Sequence, residues 1–118
     1  MMKGWLTRIL LGVLLGLLAW GEPATAYGPV TLQNAATATG AGTVWEVPDS
    51  FEYQTIQVVI TNTATVQCQG SLDNTTFETL GTLTATGSCV TEGAWKYIRA
   101  NISACTSCIV TAKLVLGQ

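Results

Sequence analysis

The amino-acid sequence predicts an all-β fold, a small antiparallel β-sandwich behind an N-terminal signal-peptide helix. Three observations carry that expectation. Several short runs alternate apolar and polar residues with period two. Thr and Val, whose branched side chains suit a pleated surface, are abundant throughout. Turn-forming clusters recur at short intervals, and no stretch after residue 26 has helical periodicity with caps.

The N-terminal segment has the parts of an export signal in order. Lys3 and Arg8 supply the basic start, Ile9 to Trp20 the apolar run, and Gly21-Glu22-Pro23 a break. Ala24-Thr25-Ala26 then offers the small residues a signal peptidase needs. Gly4 to Trp20 is 17 residues long and contains Arg8, short of the roughly 20 apolar residues of a spanning helix. The expected division is therefore a secretory signal peptide over 1–26 and a disulfide-stabilised sandwich domain over 27–118. A secreted product is expected, extracellular or periplasmic, with a mature form that does not span a membrane.

Strands follow along the mature part. Val30 and Leu32 open the domain, and Asn34 to Gly42 is rich in small residues, as in a loop or a flat edge strand. Val44 to Val47 is a short strand ending at Pro48-Asp49. Ile56, Val58 and Ile60 alternate with Gln57, Val59 and Thr61. Asn62-Thr63 reads as a tight turn into the clearest alternation, where Val66, Cys68, Gly70 and Leu72 oppose Thr65, Gln67, Gln69 and Ser71. Val110, Ala112, Leu114 and Leu116 alternate with Thr111, Lys113 and Val115 in the last strand. Further turn signals lie at Ala38–Gly42, Pro48–Ser50, Asp73–Thr75 and Thr86–Ser88.

Composition excludes several functions. With 118 residues the chain holds one small domain at most. Its hydrophobic fraction of 48% against 10% charged residues is the reverse of a disordered chain. From Tyr27 onward three bases face six acids, so no basic patch exists to neutralise a phosphate backbone, and no nucleic-acid partner is expected. The absence of histidine removes Ser-His-Asp and Cys-His catalysis and every His-ligated metal site. No enzyme activity, cofactor or metal is expected.

The four cysteines, Cys68, Cys89, Cys105 and Cys108, all lie in the mature part. An even count in a small exported chain reads as disulfides. The favoured pairing is Cys68–Cys89 and Cys105–Cys108, the second clipping a loop between two strands. The first closes 22 residues, worth about 3 kcal/mol on the loop-entropy model. A redox C-x-x-C would need a thioredoxin-like setting, and a four-cysteine zinc site a second C-x-x-C; neither is visible.

Gly70-Ser71-Leu72-Asp73-Asn74-Thr75-Thr76-Phe77 resembles a motif of discoidin-like, galactose-binding-like jelly-roll sandwiches, in which a strand ends in Gly-Ser-x-Asp and an aromatic follows the turn. Lys96-Tyr97-Ile98-Arg99 is similar to an Arg-Tyr-Ile-Arg strand of the same group. The resemblance spans roughly residues 44 to 116 and implies a jelly-roll-like course for the sandwich. Small sandwiches of this kind occur as accessory modules of phage virion proteins and surface proteins. A shared fold carries no shared ligand, so no ligand-binding residue is transferred.

Trp95, Tyr97 and Arg99 share one side of their strand, while Ile98, Ala100 and Ile102 share the other. An outward aromatic–arginine stripe could stack on sugar rings or anchor a protein; the alternative is aromatics packed under a loop or at the sandwich edge. Trp45, Phe51 and Tyr53 are open to the same two readings, with Trp45 and Val47 read as core. Asp73 and Glu78 flank a turn, where two carboxylates could serve a glycosidase or begin a calcium site, against the plain reading of a turn-capping Asp and a solvated Glu. Asn74-Thr75-Thr76 and Asn101-Ile102-Ser103 match the N-glycosylation sequon.

The resulting expectation is a non-catalytic structural or assembly protein that interacts with itself, as a homo-oligomer, or with a surface protein partner. The alternative is a carbohydrate-binding module using Trp95, Tyr97 and Arg99. When the full chain is expressed for export, N-terminal sequencing of the product should read Tyr27-Gly28-Pro29. An intact Met1 on exported material would count against the leader.

Overall fold

A computed structural model of the chain describes residues 26–48 and 51–118. The expected signal peptide, apart from Ala26, lies outside the described residues, as do Asp49 and Ser50 of the expected Pro48–Ser50 turn. Every regular element described is a strand: β1 (Ala26–Ala36), β2 (Trp45–Glu46), β3 (Tyr53–Ser71), β4 (Phe77–Leu83), β5 (Gly87–Glu92) and β6 (Tyr97–Gly117). They form one six-stranded sheet in which every pairing is antiparallel. No helix among the described residues is long and apolar enough to cross a membrane.

β3 and β6 are the spine. They pair along their whole length, from Tyr53 opposite Gly117 to Ser71 opposite Tyr97. The other strands flank this ribbon in collinear succession. β4 and then β5 run along the free edge of β3. β1, an isolated bridge from Gly40 to Ile102, and then β2 run along the free edge of β6.

The spine bends at its middle. Asn62 and Ser107 both have left-handed backbone, with φ of 66° and 52°. The register between β3 and β6 slips between Thr61 and Thr63 and again between Thr65 and Val66. Bulges of this kind kink a strand and raise its local twist. Asn62 Nδ2 donates to the Ser107 carbonyl at 2.7 Å, which ties the two bulged positions together. The Cys105–Cys108 disulfide, with Cα atoms 5.3 Å apart, clamps the same stretch of β6. Flanking strands cut across this corner. Thr84–Thr86 bridges β4 to β5, and the Thr86 hydroxyl takes the Ile60 N–H at 2.9 Å, a backbone donor that no flanking strand reaches there.

Bending turns one sheet into two facing halves. The half nearer the termini carries β1, the end of β6, the start of β3, and β5. The other carries β2, the start of β6, the end of β3, and β4. Even-numbered positions of both spine strands point between the halves on either side of the corner. Ile56, Val58, Val66, Ile98, Val110 and Leu114 are all buried there. Links across the gap include Gln33 of β1, which donates to the Ala100 carbonyl at 2.7 Å, and the bond between Cys68 of β3 and Cys89 of β5. At the open end, Tyr27 closes on Trp45 and Phe51, with ring centroids 6.2 and 6.0 Å apart.

The all-β, antiparallel expectation holds, and a long strand pair folded over on itself is a jelly-roll-like course. Both expected cysteine pairs are present, and no described cysteine is free. Four local expectations are corrected. Asn62-Thr63 is a corner inside β3 rather than a turn, because β6 continues alongside it and holds both arms. Cys105–Cys108 likewise sits within β6 rather than in a loop between strands. The short strand expected over Val44 to Val47 is only Trp45–Glu46, and the turn expected at Thr86–Ser88 lies at Thr84–Thr86.

Because Cys68–Cys89 spans the two halves, its removal by Cys68→Ala with Cys89→Ala should lower unfolding free energy by about 3 kcal/mol. The short Cys105–Cys108 clip should contribute about 2 kcal/mol on the same model. Urea denaturation of the oxidised chain and both double variants measures this; equal midpoints for wild type and the Cys68/Cys89 variant would contradict the staple.

Candidate functional site

The stripe of Trp95, Tyr97 and Arg99 divides into two environments. β6 begins only at Tyr97, so strand alternation does not extend back to Trp95. Gly93, with φ of 145°, turns the chain just before it, anchored by its N–H to the Glu52 carbonyl at 2.8 Å and by Gln54 Nε2 to its own carbonyl at 2.9 Å. The indole then folds inward over Gly70, where a Cβ would come within 2.8 Å of the ring. Trp95 is half-buried and packs on the core at the open end between the halves.

Tyr97 and Arg99 stay on the outer side. Arg99 Nε donates to Gln69 Oε1 at 2.7 Å, and its guanidinium carbon lies 3.8 Å from the centre of the Phe77 ring. Gln69 Nε2 in turn reaches Thr79 Oγ1 at 3.2 Å and Gln67 Oε1 at 3.3 Å, and Asn101 Nδ2 donates to Gln67 Oε1 at 3.0 Å. The arginine is thus held by a neutral amide ladder and an aromatic face, a cation–π arrangement. The sequence-predicted three-residue face reduces to Tyr97 and Arg99, joined by Phe77.

Trp95 instead shares two shallow clefts with Leu72, which is 69% exposed. One, of about 140 Å³, is lined also by Asp73, Thr76 and Glu78; the other, of about 330 Å³, by Glu92, Gly93 and Ala94. Leu72 lies just past β3, beyond the alternation that was expected to bury it. The Asp73 carboxylate is committed to its turn. Its Oδ1 accepts from the Thr75 and Thr76 N–H groups at 2.9 and 2.8 Å and from the Ser71 hydroxyl at 3.0 Å. The Thr76 N–H foremost, then those of Thr75 and the Ser71 hydroxyl, hold its pKa below the ordinary carboxylate value. A carboxyl kept ionised by its own backbone is a turn cap and a poor proton donor, which favours the plain reading of Asp73 over a glycosidase acid. Of the two sequons, Asn74 is exposed on this turn, whereas Asn101 is half-buried with its amide engaged.

A third surface escaped the sequence reading. Odd-numbered positions of the spine strands in the half carrying the termini point outward. Among the described residues seven large hydrophobics are exposed, and five of them lie on this side: Tyr53, Val59, Val90, Ile109 and Val115. Register aligns Val90, Thr55 and Val115 in one row across β5, β3 and β6. Two charges flank that row, Glu92 beside Tyr53 and Lys113 beside Gln57. The Glu92 carboxylate, by its charge and by accepting a hydrogen bond from the phenol, pushes the Tyr53 pKa up, with smaller contributions from burial and Glu52. The signal was present in the apolar residues at odd positions of the spine and in Val90, but only register shows that Tyr53, Val90 and Val115 adjoin around Thr55, with Val59 and Ile109 farther toward the corner.

No protein-family model matches the chain, and no curated protein matches it. The fold is similar to the crystal structure of SPBc2 prophage-derived protein YomS, with a TM-score of 0.69 at 13% identity over 83% of this chain and 99% of that one. At that identity the likeness concerns the fold alone.

Because Trp95 rests directly on Gly70, Gly70→Ala should destabilise the fold by about 1–3 kcal/mol through overpacking and shift Trp95 fluorescence. Unchanged stability and emission would show that the indole is free to move away.

Proposed function

We propose that the chain is an exported, non-catalytic structural or assembly module that associates with a copy of itself or with a protein partner. The observation that supports this best is the outward apolar side formed by Tyr53, Val59, Val90, Ile109 and Val115. Apolar residues scattered singly on a surface need no explanation, but register brings Tyr53, Val90 and Val115 together around Thr55, with Val59 and Ile109 beyond the Ser88–Gln57–Lys113 row, and such grouping supports an interaction surface. Two disulfides agree with an oxidising compartment outside the cytosol. The fold shared with a prophage-derived protein fits an accessory module and adds no ligand of its own.

Carbohydrate binding is the second reading, now resting on the outer Tyr97 with Arg99 and Phe77, away from Trp95. Light scattering and electron microscopy of the purified oxidised protein, alongside a glycan array, separate the two. Assembly without glycan selectivity is the expected result. Selective glycan binding lost on Tyr97→Ala, by a monomer, would reverse the order. A monomer that binds neither glycan nor protein would dispose of both.

A further inference from the structure

We propose that two copies of this chain pack outer side to outer side about a two-fold axis, with the Val90–Thr55–Val115 row at the centre and Lys113 of each copy against Glu92 of the other. This rests on the assembly reading and specifies its surface and partner.

Strand register sets the arrangement. Thr55 lies opposite Val90 on one side and Val115 on the other, all three facing outward. Lys113 is on β6 beside Gln57, two positions toward the corner from Thr55. Glu92 is on β5 beside Tyr53, two positions away from the corner. The two charges therefore sit at diametrically opposite points around Thr55, at equal offsets along and across the strands. A two-fold axis parallel to the sheet and midway between the two facing sides, perpendicular to the line joining them, carries each of those two points over the other. It sets the ammonium of each copy over the carboxylate of the other and Thr55 over its counterpart, with Val90 and Val115 of both copies grouped around that point. Such an interface is isologous and closes as a dimer. The strands of the two copies then cross steeply, toward the orthogonal class of sheet packing.

Charge and size agree with a second copy as the occupant. Glu92 and Lys113 form no ion pair within the chain among the described residues. The one base, Lys113, lies on one side of the row and the acids Glu92 and Glu52 lie on the other, around Tyr53, so the patch is complemented by a surface of reversed polarity, which a second copy supplies. Four strands at about 4.8 Å spacing and seven residues at about 3.3 Å rise cover roughly 450 Å² of flat area per copy. Two copies therefore approach the ~1,000 Å² of a small specific interface, which gives a modest, concentration-dependent dimer.

Charge reversal tests the pairing on the oxidised full-length product. Glu92→Lys alone sets like charges together at both contacts, and so does Lys113→Glu alone. Each should raise the dimer dissociation constant about tenfold or more in sedimentation equilibrium. An equimolar mixture of the two variants restores both attractions and should form a heterodimer, which also shows that each variant is folded. Val90→Asp, at a position 70% exposed and so tolerant of substitution, should abolish dimers with an unchanged circular-dichroism spectrum. If wild type assembles while these variants assemble equally well, or the mixture stays monomeric with both variants folded, this surface is wrong and the assembly reading stands. If wild type is monomeric at every concentration and binds no protein partner, both fall.

Discussion

The bend in the β3–β6 pair is the constraint on which the rest of the molecule depends. A single antiparallel sheet has an apolar side that must be covered, and this chain has no helix in its described part to cover it. Folding the sheet across its strands lets each half bury the other. The corner needs two residues in left-handed backbone and an interrupted ladder. Asn62 is among the few residue types that accept such a conformation, and its amide bond to Ser107 recovers part of what the ladder loses. The Cys105–Cys108 clip restricts the same segment of β6.

From that geometry follow an interior and two outer sides of different character. The interior is stapled by Cys68–Cys89 and stopped at its open end by Trp95 and by the Tyr27, Trp45 and Phe51 cluster. One outer side carries an amide ladder that holds Arg99 against Phe77, so its polar groups are largely occupied by one another. The other carries exposed apolar residues, with Lys113 on one side of their central row and Glu92, near Glu52, on the other. The contrast matters for function. A surface whose donors already have partners offers little to a new ligand, whereas an uncovered apolar side gains free energy when water leaves it.

Much of this was readable from residue order, because strand alternation is a local property. Even positions of 56–60, 66–72 and 110–116 were read as shared faces, and all but the exposed Leu72 are buried or packed against the core. The cysteine pairing was also accessible, since redox compartment and loop length constrain it. Asn62-Thr63 misled because a left-handed Asn is the same local event in a turn and in a bulge. Whether the chain reverses there or merely bends is decided by a partner strand some 45 residues away, as the Asn62–Ser107 bond illustrates. Trp95 misled for a related reason: alternation was projected back from Tyr97 to Trp95, which lies before β6 begins.

The order of residues sufficed for the strand character, the inward positions and the two cysteine pairs, all of which depend on neighbours along the chain or on the chemistry of the compartment. It could not show that two half-sheets belong to one folded ribbon, that Trp95 covers Gly70, or that Val90, Thr55 and Val115 stand side by side. Those facts depend on the register between strands far apart in the chain, and register is settled when the whole core packs at once.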